Sequence, residues 1–190
     1  MRATLVVLLL LTGPALAAPR PPQHPPQHVP QAKPVDDLFR ALKGATSPED
    51  AKPIEDQIGL YFMQSGSPSV DLLMARATAA LAGGDKSNSR KLFDAVTAIA
   101  PNFPEGWHSR AALQIAANDT EGAMLSLQRT ITLNPREFRA LSELADMLED
   151  YGDKAGALKL YRRALALDPK LEGIDRHVKA LEDQVEGQKI

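Results

Sequence analysis

Three groups of residues in this chain have the types that metal or enzyme chemistry uses. His24 and His28 stand four positions apart, each preceded by a glutamine and set among prolines. Zinc sites draw on three or four ligands fixed by a scaffold, so two imidazoles in a proline-rich stretch fall short of one. Gly83-Gly84-Asp85-Lys86-Ser87 has the composition of a phosphate-binding loop. Such a loop needs glycine directly before the lysine, a second glycine five positions earlier and a strand ahead of it. Here Asp85 intervenes and the preceding residues have helical spacing. His108-Ser109 is the only His-Ser pair. Neighbours on a helix point about 100° apart and cannot meet as nucleophile and base, and no third group completes a triad. The expectation is a chain without catalytic residues, metal site or cofactor.

The elements behind these residues repeat. Pro101, Pro135 and Pro169 stand 34 residues apart. Gly84-Asp85, Asn118-Asp119 and Gly152-Asp153 fall 16 to 17 residues before each proline. Half a period has the length of one helix. Each unit therefore reads as two helices joined by a tight turn and closed by a helix-stopping proline. The units are 70–103, 104–137 and 138–171.

Laid over one another, the units resemble the tetratricopeptide repeat family position by position. The third carries Leu141, Leu144, Ala145, Leu148, Ala157, Tyr161, Ala164 and Pro169 where that family places its signature types. The second carries Trp107, Arg110, Ala111, Gln114, Ala123, Leu127, Thr130 and Pro135; Gln114 and Thr130 are its weaker matches. The first carries Leu73, Arg76, Ala77, Ala80, Ser89, Phe93, Val96 and Pro101. Arg76 and Arg110 replace the usual leucine, with room to bury a stem and keep the head in water. Small residues at Ala77, Ala111 and Ala145 let helices approach closely. Large ones at Leu73, Trp107 and Leu141 fill the space between units. One unit cannot bury its apolar face alone, so units stack and polar caps close the ends. The expected fold is an all-α solenoid of three such repeats.

Both flanks read as helical. Leu171, Ile174, Val178, Leu181 and Val185 form one helical stripe, making 172–186 a C-terminal capping helix. Leu38, Phe39 and Leu42 share a face, as do Ile54, Ile58, Tyr61 and Phe62. Ser47-Pro48-Glu49-Asp50 reads as a helix start. Pro53 leaves two options: a helix that kinks, or one that begins near Asp50. The reading is a helical pair over 35–66 that caps the front of the solenoid.

The first 17 residues read as a secretory signal: Met1-Arg2, an apolar run over 4–11, and Ala15-Leu16-Ala17 as the cleavage site. That run is too short to span a bilayer, although a retained anchor is the alternative. No stable membrane anchor is expected after cleavage. With no cysteine there is neither a lipid-modified cysteine nor a disulfide. Residues 18–34 hold seven prolines and read as an extended linker. The expected location is the bacterial periplasm. Formal net charge is −2, and −3 without Arg2; no basic stripe offers a footprint for nucleic acid.

The resemblance implies a concave groove lined by set positions of each first helix. Here these include Met74, Thr78 and Leu81, then His108, Ala112 and Ile115, then Arg139, Ser142, Asp146, Glu149 and Asp150. The lysine, arginine and asparagine clamp by which some family members hold a peptide's carboxylates is absent. The lining is apolar at one end and acidic at the other. Either the groove is open, or terminal helices fill it and turn its apolar residues into core. The expected function is a non-enzymatic adaptor for a protein or peptide partner. The alternatives are a self-assembling repeat protein and an accessory subunit of an envelope-assembly complex.

Overall fold

The computed structural model describes residues 35–185 and 187. The expected signal (1–17), the linker (18–34), His24 and His28 lie outside the described residues. Nine α-helices make up the described residues: α1 (Val35–Lys43), α2 (Pro48–Phe62), α3 (Pro68–Ala82), α4 (Lys86–Ile99), α5 (Pro104–Ile115), α6 (Thr120–Leu133), α7 (Phe138–Asp150), α8 (Lys154–Leu167) and α9 (Ile174–Val185). Pairs α3–α4, α5–α6 and α7–α8 pack most closely, and each pair leans on the next.

The recurring Gly-Asp and Asn-Asp dipeptides end one helix and start the next. Gly84, Asn118 and Gly152 sit at φ of 81°, 57° and 88°, the left-handed region open to glycine and tolerated by asparagine. That conformation returns the next amide onto the helix just ended: Asp85, Asp119 and Asp153 N–H donate to the carbonyls of Ala80, Gln114 and Leu148. The same aspartates then cap the following helix. Their carboxylates accept from the amides of Asn88, Gly122 and Gly156 at 3.0, 3.1 and 2.9 Å. The prolines follow Ala100, Asn134 and Asp168, which leave the helical region and close α4, α6 and α8, Asn134 and Asp168 with extended backbone.

Ala77, Ala111, Ala145, Ala123, Ala157 and Ala164 are fully buried, as the close crossings require. The two weaker family matches are satisfied by polar partners. Ser126 donates to Gln114 at 2.6 Å, Gln114 donates to Asp119 at 3.0 Å, and Arg110 donates to Ser126 and Asp94. Thr130 donates to the Ser126 carbonyl at 2.9 Å. The buried Gln114, Ser126 and Thr130 thus keep their hydrogen bonds. Arg76, by contrast, is exposed.

Two features of the N-terminal pair bear on the sequence reading. The first is the start of α2, which falls where Ser47-Pro48 indicated and not near Asp50. Ser47 caps it, accepting from the Asp50 amide at 3.2 Å, and Pro53 lies inside a helix that runs from Pro48. The second is where the pair docks. Leu38, Phe39, Leu42, Ala51 and Ile58 join one apolar cluster with Phe138, Leu141, Ala145 and Tyr161 of α7 and α8. The core of the first repeat is a separate cluster of Val70, Met74, Ala77, Phe93, Val96, Phe103 and Leu113. The pair therefore packs against the third repeat instead of capping α3. Phe39 meets Phe138 edge-on, with ring centroids 6.3 Å apart. The Arg136 guanidinium lies 3.9 Å from the Phe39 centroid and pairs with Asp36 at 2.5 Å. Burying four large apolar side chains stabilises this docking by roughly 6–12 kcal/mol before the entropy of ordering the pair is set against it. At the other end, Ile174 and Leu181 of α9 are buried and Leu171, Val178 and Val185 pack on the same cluster, as the helical stripe requires.

Candidate functional site

The concave positions separate into three groups. Thr78 and Ala112 are exposed, Leu81 is half-buried and Ile115 is 42% exposed, so this stretch of α3 and α5 is open. Met74 is 2% exposed and belongs to the first-repeat core. Its flexible side chain shares the cluster of Leu113 on α5 instead of facing the groove. On α7 the groove is covered. The Arg139 guanidinium stands 3.7 Å from Asp56 of α2 and 5.5 Å from the Phe138 centroid. It lies so close to Gly59 that a Cβ there would come within 2.8 Å of its Nη1. Ser142 is half-buried and donates to the Arg139 carbonyl at 3.2 Å.

The acidic end is largely engaged within the chain. The Tyr161 hydroxyl donates to Asp146 at 2.5 Å and to Glu149 at 3.0 Å. His177 of α9 meets Glu149 at 3.0 Å. Asp146 and Asp150 are both exposed, and Asp150 alone of the three acids stands outside this network. Asp146 and Glu149 thus serve the junction of α7, α8 and α9.

Between the open and covered stretches lies a cavity of about 330 Å³. Asp56, Gly59, Leu60 and Met63 form its α2 wall, Glu105 and His108 its α5 wall, and Glu137 and Arg139 its base at the start of α7. His108 stands between two carboxylates, 3.6 Å from Glu105 and 3.1 Å from Glu143. Burial disfavours its imidazolium, but the two carboxylates outweigh that and hold it well above the usual histidine range. Glu137 is 4% exposed. Burial pushes its carboxyl up to about 7, although His108 nearby pulls it down. Glu137 is the residue before α7, yet it caps no amide of that helix. No hydrogen bond or ion pair to its carboxylate forms among the described residues.

Of the residues expected in the groove, His108 and Arg139 meet in this cavity. Glu137, Asp56, Leu60 and Met63 were not foreseen as lining. Asp56, Leu60 and Met63 belong to or follow α2, which lies outside the repeat pattern, and Glu137 sits in the link between the second and third repeats, where no signature position falls. A second cavity of about 420 Å³ lies between α6 and α8, floored by Met124, Ile131, Leu144 and Leu160 with Lys159 and Arg163 among its lining.

Residues 109–172 match the tetratricopeptide repeat family model. A TPR repeat-containing protein of Rhizobium etli is 29% identical over 153 residues, which span 80% of this chain and 75% of that protein. The Sgt2 TPR domain from Aspergillus fumigatus superposes with a TM-score of 0.55 at 24% identity, covering 63% of this chain and 81% of that one. The Yersinia enterocolitica type III secretion chaperone SycD, in complex with a peptide of the translocator YopD, gives a TM-score of 0.56 at 17% identity. That likeness covers 62% of this chain and 95% of SycD. The fold is an all-α solenoid of tetratricopeptide repeats.

Proposed function

We propose that this chain is a non-enzymatic protein-interaction module that holds a segment of a partner on its concave face. Two observations carry this: the open stretch of α3 and α5, where Leu81 is half-buried and Ile115 exposed, and the cavity between α2, α5 and α7, whose α2 wall exposes Leu60 (66%) and Met63 (40%). Such partly exposed apolar side chains around a concave site are what an apolar anchor of a partner needs. SycD, of the same fold, is in complex with a peptide. The docked pair α1–α2 narrows the groove to this stretch, so the bound segment runs between α2 and α5 and does not extend along α7. We further propose that the chain works in the bacterial periplasm after cleavage following Ala17.

The test is a peptide-display selection against the folded chain, with binding mapped by hydrogen exchange. Protection gained on α3, α5 and the end of α2 is the expected result. Protection confined to α6 and α8 would refute the concave reading. Amino-terminal sequencing of chain recovered from fractionated cells should begin at Ala18; an uncleaved cytoplasmic product would refute export.

A further inference from the structure

We propose that the cavity between α2, α5 and α7 is a pocket for a basic side chain, lysine or arginine, carried by the bound segment. This deepens the proposed function and rests on it. Three observations point to a cation. First, Glu137 is almost wholly buried and has no hydrogen-bonding or ion-pairing partner among the described residues, while it lines an empty space. A buried carboxylate without a donor is unfavourable, and a donor arriving with a ligand removes that penalty.

Second, the balance of charge facing the space is negative. Asp56, Glu105 and Glu137 line it and Glu143 stands beside His108, against His108, Arg139 and the Lys52 ammonium 2.9 Å from Asp56. Arg139 is drawn to α2, with Asp56 at 3.7 Å and Gly59 beneath its guanidinium. His108 is held between Glu105 and Glu143. The carboxylate left over is that of Glu137.

Third, the cavity has the form of a long aliphatic stem with a polar end. Leu60 and Met63, at the end of α2, are apolar and exposed; Glu105 on α5 and Glu137 at the start of α7 lie across from them, and Asp56, on α2, is engaged by Lys52 and Arg139. A lysine or arginine side chain lays its methylenes on apolar surface and places its charged head among acceptors. Arg139 Nη2 is buried with Asp56 as its charge partner. A basic side chain of a peptide thus supplies the partner that Glu137 lacks.

The probes are Nα-acetyl-lysine methylamide and its norleucine analogue, which keeps the stem and lacks the charge. Each is titrated into the full chain and followed by NMR at the Met63 methyl and at the amides of Glu105, His108 and Glu137. Saturable shifts are expected with the lysine probe, and binding about tenfold or more weaker with norleucine, since a charge-assisted hydrogen bond is lost. Glu137→Gln, an isosteric neutral change, should reduce lysine-probe binding by a similar factor and leave norleucine binding unchanged. Equal binding of the two probes, or no saturable shift with lysine, overturns the proposal. The comparison on the unaltered chain decides the matter even if the variant folds poorly. Display peptides that bind the open stretch without a basic residue would overturn the pocket and keep the adaptor reading. Saturation by lysine with no display peptide bound to that stretch would keep the pocket for small amines and remove the adaptor reading.

Discussion

Replacing Glu137 with glutamine should stabilise the chain at alkaline pH and change little at acid pH. Burial pushes this carboxyl from 4.5 in the unfolded reference to about 7 in the fold. The native state therefore binds the proton more tightly than the unfolded state does. Stability tied to that proton is fully present below about 4.5 and is lost as pH rises to about 7. A shift of about 2.5 units at 1.36 kcal/mol per unit gives a full penalty of roughly 3 kcal/mol above pH 7. At pH 5 only about 1 kcal/mol of it has developed. The wild type should thus lose about 2.5 kcal/mol more than Glu137→Gln between pH 5 and pH 8. Glu55 and Asp168 are also raised, by burial first, but they are common to both proteins and cancel in the difference. Urea denaturation followed by circular dichroism at pH 5, 6, 7 and 8 measures it. For a domain of this size, each kcal/mol moves the melting temperature by about 2–4 °C, so the pH 8 gain is also visible thermally. Parallel pH profiles, or a variant less stable at pH 8, would refute the view of Glu137 as a buried carboxyl without a partner.

Other expected outcomes follow from the fold. Gly152→Ala should cost about 1–2 kcal/mol through its left-handed backbone alone, since nothing lies within 4 Å of an added Cβ. Asn118→Gly should be neutral or stabilising; chemical denaturation of both variants is the check. Phe39→Ala should cost about 3–5 kcal/mol and speed hydrogen exchange in α1 and α2, with α3 and α4 little changed. Equal acceleration in α3 would mean the pair caps the first repeat after all. Ala145→Leu should cost about 1–3 kcal/mol by overpacking a fully buried crossing. An unchanged melting temperature would contradict the repeat register.

The parts of this fold that were legible are those whose causes are local. A glycine or asparagine at positive φ followed by a capping aspartate is a chemical unit of adjacent residues, so its recurrence gave the turns, and the prolines gave the helix ends. Ser47 and Pro48 announced the start of α2 for the same reason. The docking of α1–α2 was not legible, because its contacts join residues about a hundred positions apart, such as Asp36 with Arg136 and Phe39 with Phe138. Periodicity shows which face of a helix is apolar and is silent about which neighbour covers it. That same docking covers Arg139, and it makes Leu60 and Met63 part of the cavity. Met74 was misread because a methionine at the groove's edge has the reach to turn into the neighbouring core. Asp146 and Glu149 read as the acidic end of the groove, since the sequence does not reveal that Tyr161 and His177 converge on them.

The claim that the concave face between α2 and α5 holds a partner is tested most directly by photocrosslinking in living cells. A photoreactive residue is placed at Ile115 on the open concave stretch, and in a separate chain at Leu125 on α6, which is 66% exposed. Position 115 should give a discrete crosslinked protein species that a Leu60→Glu change in the facing wall reduces. Crosslinks from position 125 alone, or a product at 115 indifferent to that change, would contradict the account.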